Sequence, residues 1–387
     1  MIPGEHHGVF DRGPPARIER WLRRSTSRRR AVRRAVDVVL LGWVPLALLA
    51  ALHGAMGGPG IVVFLSDVAA QARAIAAPLL VLAEAACARR LSEIVAHFVE
   101  GGILPEHERP RFAAAIHSTR RLLDSALAEV GVLVVAYGAV GILFASAEPQ
   151  AHARWARTLF DDELGWTPAG YWNALVSIPL LLVLLFGWLW RLFLWARLLW
   201  IVAHLELRLV ASHPDRAAGL AFVGQSVRAF VPATVAISLL VAGAVLRDQA
   251  LHRPTAGQIG LLVAGTVAAQ LLLVCGPLAS FLAPLLAARR RGIFAYGDLA
   301  WRAGVAFDRI WLAPPSRAEL RSLDEPDFSA TADLYALVSN VYAIRPLPIE
   351  GEDLLLLLAG ALLPFLPVLL ATMPISSLLA RFAQILL

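Results

Sequence analysis

Apolar residues in this chain neither alternate nor recur at helical spacing for long; they run in blocks close to the roughly 20 residues that a bilayer-crossing helix needs. Seven blocks stand out: Val36–Met56, Asp67–Ala88, Val130–Ala147, Tyr171–Trp190, Phe230–Leu246, Gln258–Ala287 and Asp353–Thr372. The pattern predicts an all-α, polytopic helical membrane protein. Polar punctuation sharpens it. Ser66 or Asp67 is placed to cap the second span, and Thr167 followed by Pro168 reads as an N-cap and first helical residue. The loop after the second span reads as two helices broken at Gly101–Gly102 and Pro105, the first continuing the span through Phe98 and the second leading from Pro110 through Leu122. From Pro168 to about Ala211 only Pro179 interrupts, which predicts one long, kinked helix.

Charge orients these spans. All 35 basic residues are arginine. Of these, 28 fall on one side of the predicted spans and 5 on the other, while Arg73 and Arg191 lie within or at the edge of spans. By the positive-inside rule, the N-terminus is expected in the cytoplasm and the C-terminus outside. The expected organisation is a cytoplasmic arginine-rich segment at 1–35, a six-helix membrane region at 36–287 with a helical cytoplasmic loop at 89–129, a cytoplasmic helical segment at 288–352, and a final span with an outer interfacial helix at 353–387.

Composition adds little beyond this. At 58% hydrophobic and 17% charged residues, the chain is too apolar for disorder and extreme for a soluble domain. A net charge of +6 does not point to nucleic acid, because the arginines border membrane crossings; they suit the bilayer and anionic lipid headgroups. A protein partner or homo-oligomer is left open. Cys87 and Cys275 both fall inside spans, so neither a disulfide framework nor a cysteine metal site is expected. The arginine-rich, lysine-free composition points to a GC-rich bacterium and its inner membrane.

Two segments, HLELRLVASHPDRAAGLAF and SATADLYALVSNVYAIRPLPIE, together with the Pro-interrupted last span, resemble a family of uncharacterised bacterial multi-pass membrane proteins. Ala218 stands where that pattern leads one to expect glycine. The resemblance implies a polytopic fold and supplies no activity, so no catalytic residue follows from it.

Two groups of residues are candidates for function. Asp67, Gln71, Arg73, Glu84 and Gln270 are polar groups in or beside spans, where such groups usually face protein or water, and they could line a polar path. Arg197, His204, Arg208, His213, Asp215 and Arg216 could form an anion or headgroup surface, arginine offering a planar donor fork. For the SHPDR run the plainer reading is helix capping and inter-helix bridging, with Pro214 at a first helical position. Glu100, Glu106, His107, Glu108 and His117 lack metal-ligand spacing and read as a charged loop, so no metal is expected. No HExxH, P-loop, GxSxG or dinucleotide fingerprint is present, and no cofactor is expected. The leading expectation is a non-enzymatic protein that moves a solute or amphiphile or assists an envelope complex; a lipid-modifying enzyme and a structural scaffold are the alternatives.

Overall fold

The computed structural model describes residues 28–58, 60–146, 153, 155–160, 163–252, 254–311 and 326–372. Most of the arginine-rich segment expected at 1–35, up to residue 27, and the interfacial helix expected after residue 372 lie outside them. Among the described residues, seven helices are long and apolar enough to cross a membrane: Ala31–Ala55, Val68–Glu100, Ala126–Ala145, Pro168–Ala203, Ala221–Leu251, Ala256–Arg309 and Gly351–Thr372. The protein is an all-α polytopic membrane protein. Large apolar side chains remain on its surface, among them Val62, Leu127, Ile142, Leu261 and Leu272, each at least 70% exposed. In water such a surface would be a liability; in lipid it is the expected contact.

In chain order the main helices are α1 (Arg28–Gly42), α2 (Val44–Ala55), α3 (Val68–Glu100), α4 (Arg109–Leu123), α5 (Ala126–Ser146), α6 (Ile178–Ala203), α7 (Ser226–His252), α8 (Ala256–Cys275), α9 (Leu282–Trp311), α10 (Pro326–Tyr342) and α11 (Gly351–Leu362). The most extensive packing is between α3 and α7. Small residues permit it. Ala69, Ala72 and Ala76 are buried on α3, Ala233, Ala236 and Ala242 on α7, and a Cβ at Gly243 would stand 2.6 Å from that of Ala72. Lipid tails offer helices no hydrophobic drive to associate, so close backbone approach and dispersion must hold such pairs together. One main core joins α3, α4, α6, α7 and the Gly276–Phe281 turn, with Leu80, Phe98, Phe112, Trp195 and Phe281 fully buried within it.

Two prolines break the backbone ladder where a side chain supplies the missing donor. Pro45 and Pro179 have no N–H for the carbonyls of Leu41 and Leu175 four residues earlier. Trp172 Nε1 donates to the Leu41 carbonyl at 3.0 Å, and the Tyr137 hydroxyl donates to that of Leu175 at 3.2 Å. The expected kink at Pro179 takes the form of a π-helical turn at Asn173–Ser177, which widens the backbone just ahead of the ring. Pro277 likewise lies in a 3-10 turn, Gly276–Phe281, joining α8 to α9. Helix α9 then runs through residue 288 without a break.

Between α5 and α6 the chain forms a small two-stranded hairpin, β1 (Arg157–Phe160) and β2 (Glu163–Trp166), which the apolar pattern does not predict. Thr167 caps the following helix as expected, accepting from the Gly170 N–H at 3.0 Å. Gly170 has to be glycine, since a Cβ there would lie 2.1 Å from the Ala156 carbonyl oxygen.

One expectation fails. The fourth span does not stay helical to Ala211; α6 ends at Ala203 with His204 as its C-cap. From His204 to Val210 exposure alternates, with Leu205, Leu207 and Leu209 turned inward and His204, Glu206, Arg208 and Val210 outward. The run HLELRLV has a period of two, which a helix cannot satisfy and an extended segment can.

Candidate functional site

That extended run forms one wall of a cavity lined in part by Arg208 and Val210. The Arg208 N–H donates to the Ile103 carbonyl at 2.8 Å and Val210 N–H to that of Ala218 at 3.2 Å, so the run is pinned between two loops. The first loop follows α3. Gly102 takes a positive φ of 69°, and a Cβ at Gly101 would press on the His97 carbonyl at 2.9 Å and its ring at 3.1 Å.

The second loop, 211–220, is organised by one carboxylate. Asp215 Oδ1 accepts from the N–H groups of Ala217 at 2.9 Å and Gly219 at 3.1 Å, and Oδ2 accepts from Ala221 at 3.0 Å. Gathering alternate N–H groups onto one side chain requires left-handed backbone, found at Arg216 and Ala218 (both φ 55°) and Gly219 (φ 94°). Ala218 thus holds a left-handed conformation that glycine adopts at less cost. No helix starts at Pro214, so the capping expectation needs revision: Asp215 accepts from N–H groups two, four and six residues ahead of it, the last of them Ala221 at the start of the next helix. Bridging is realised through Arg345, whose N–H donates to the Arg216 carbonyl at 2.9 Å while Nη2 donates to that of Asp215 at 3.0 Å.

His213 completes the arrangement. Its Nδ1 lies 2.9 Å from Asp215 Oδ1 and 3.3 Å from the Asp215 N–H. One nitrogen cannot donate to the first and accept from the second; the shorter contact, to a charged acceptor, is the stronger. That contact places a proton on Nδ1, directed at Asp215. Burial alone would push the Asp215 carboxyl up, but hydrogen bonds from Ala217, Ala221, Gly219 and His213 outweigh it and hold the group below its ordinary value.

Between these loops lies a cavity of about 460 Å³ whose polar lining is His97, Arg208, His213, Asp215, Gln225 and Glu350. The size suits a small ligand or a lipid headgroup. Its charge is mixed: Asp215 spends its acceptor capacity on its own loop, which leaves Arg208 and Glu350 as the opposed charges and two histidines beside them.

Of the expected anion surface, the cavity takes in Arg208, His213 and Asp215. Arg197 instead donates to Ser118 at 2.9 Å, and His204 contacts the Trp200 carbonyl at 2.7 Å. Arg216 contributes its backbone carbonyl to Arg345. His97, Gln225 and Glu350 were not foreseen, since nothing local distinguishes them and only the fold brings them to Arg208.

The intramembrane polar residues fall into separate contact sets. Asp67 caps α3 through Ala69 and Ala70 and accepts from buried Trp155 Nε1 at 2.8 Å. Gln71 accepts from Trp43 Nε1 and donates to the Phe64 carbonyl, both at 3.1 Å. Arg73 lines a cavity of about 30 Å³ between α1, α3 and α6 and makes no hydrogen bond among the described residues. Glu84 is ion-paired with Arg191 of α6 and, at 2.8 Å, with Arg34 of α1. Gln270 binds the Thr234 carbonyl and Ser238 hydroxyl of α7, at 3.4 and 3.1 Å.

No protein-family model, curated protein or solved structure matches this chain. Function therefore has to be argued from geometry.

Proposed function

We propose that this is a bacterial inner-membrane protein, N-terminus inside and C-terminus outside, that binds the zwitterionic headgroup of an amphiphile at the cytoplasmic cavity as a step in moving or presenting it. The observation that carries the reading is the joint presence of Arg208 and Glu350 in one cavity of about 460 Å³. Arginine suits a phosphate or carboxylate and glutamate an ammonium group. A headgroup bearing both uses the cavity better than a simple anion does. The arginine distribution supports the orientation and the lysine-free composition supports the bacterial assignment.

Native mass spectrometry of the purified protein tests this. Wild type should retain a phosphate-containing zwitterionic lipid, and Arg208→Gln and Glu350→Gln should each retain less; equal retention by all three contradicts the reading.

His213 beside Asp215 favours a second reading, a lipid-modifying enzyme in which an oriented imidazole acts as general base. The cavity lining holds no Ser, Thr or Cys, so the attacking group would have to be water or a substrate hydroxyl. Turnover of a bound lipid, abolished in His213→Gln with binding retained, would favour that reading.

A further inference from the structure

The turn Glu106–Glu108 and the extended run after α6 also meet outside the cavity. His107, Glu108 and Glu206 each offer one ligand atom, and the three atoms lie within 4.8 Å of one another. Glu108 is the unusual member. Its side chain is 2% exposed; Arg111 donates to Oε1 at 3.2 Å, while Oε2 is buried without a hydrogen-bond partner. A buried carboxylate oxygen in that condition calls for a proton or a cation. Its neighbours favour a cation. His107 Nε2 and Glu206 Oε2 are hydrogen-bonded at 3.1 Å on side chains that are 64% and 78% exposed, and a shared ion would take the place of that contact. That spacing is close to the separation of adjacent donors around a metal bound at roughly 2.0–2.2 Å.

We propose that His107, Glu108 and Glu206 bind a first-row divalent ion of the Zn2+ or Mn2+ kind, with water completing its shell. One imidazole and two carboxylates suit such ions, whereas Ca2+ and Mg2+ prefer oxygen alone. The ion ties the loop after α3 to the run after α6, the same two segments joined by the Arg208 to Ile103 hydrogen bond. It would stiffen a wall of the cavity while using none of its lining residues. The ligands span 99 positions, so their sequence spacing gives no metal signature.

Equilibrium dialysis of the full-length, tag-free protein in detergent against Zn2+ and Mn2+, with Ca2+ and Mg2+ as controls, tests the site. Wild type should take up one tight equivalent of Zn2+ or Mn2+. His107→Ala and Glu206→Gln should bind at least about tenfold more weakly. Both residues are exposed, so the metal-free melting temperature should not move, and these two variants decide the matter even if Glu108→Gln fails to fold. No uptake by wild type, unchanged affinity in either exposed-site variant, or equal affinity for Ca2+ or Mg2+ overturns the proposal.

Discussion

Arg191, 4% exposed on α6, is ion-paired with Glu84 of α3. Arg34 of α1 approaches the same carboxylate from the other side at 2.8 Å, so a single acid ties three helices together at the arginine-rich end of the bundle. Burying charges in pairs contributes little net stability, but removing one member strands the other.

Glu84→Gln is therefore expected to destabilise the protein by about 3–5 kcal/mol, as breaking a buried pair does. Arg34→Gln should cost much less, since Arg34 is 27% exposed and Arg191 would keep its partner. Melting temperatures in detergent check the order. Equal small shifts for both variants would show that the triad is not structural, and loss of activity without loss of stability would return Glu84 to a transport role.

Trp172 and Tyr137 each serve a carbonyl that a proline leaves without its helical donor. Trp172→Phe and Tyr137→Phe should each lower stability by about 0.6 kcal/mol, the average for hydrogen bonds between membrane helices, and by no more than about 1.7 kcal/mol. Tyr171→Phe is the control, because that hydroxyl has no hydrogen-bond partner among the described residues. A loss in the control as large as in the other two would remove the proline-repair argument.

Asp215 links stability to acid. Its carboxyl is held below the ordinary value, so the folded loop prefers the ionised form; the stabilisation is fully present above the unfolded value, about 3.9, and is lost as pH falls through the lower folded value. Protection of the Ala217, Gly219 and Ala221 amides, relative to an unstructured chain at the same pH, should hold from pH 7 to about 4 and be lost below it, with Asp215→Asn weakly protected throughout. Protection in the variant equal to wild type at pH 7 would contradict this.

Orientation can be read with single cysteines in a background lacking Cys87 and Cys275. Gly257 and Gly351 are exposed, with nothing within 4 Å of an added Cβ. Gly351→Cys should react only from the cytoplasmic side and Gly257→Cys only from outside. Labelling of both from one side would refute the arginine-based topology.

The spans were legible because each is a local block of apolar residues, and the caps at Asp67 and Thr167 because they are local chemistry. The fourth helix ends at Ala203 rather than Ala211 because HLELRLV, though apolar enough to continue it, alternates at every second residue, a period that favours an extended segment. The cavity was only half legible. Arg208, His213 and Asp215 are neighbours in the chain, whereas His97, Gln225 and Glu350 belong to other segments that meet only after α3, α6, α7 and α11 pack. Asp67, Gln71 and Gln270 stand out in the sequence because polarity inside a span is costly; the contacts that meet that cost, within and between helices, come only with the fold.

The central claim is that Arg208 and Glu350 recognise the two opposite charges of one headgroup. Isothermal titration of the purified protein with phosphoethanolamine, inorganic phosphate and ethanolamine measures this directly. Phosphoethanolamine should bind most tightly, Arg208→Gln should abolish its advantage over ethanolamine, and Glu350→Gln its advantage over phosphate. Equal affinity for phosphate and phosphoethanolamine in wild type, or no binding of any of the three, would contradict the account.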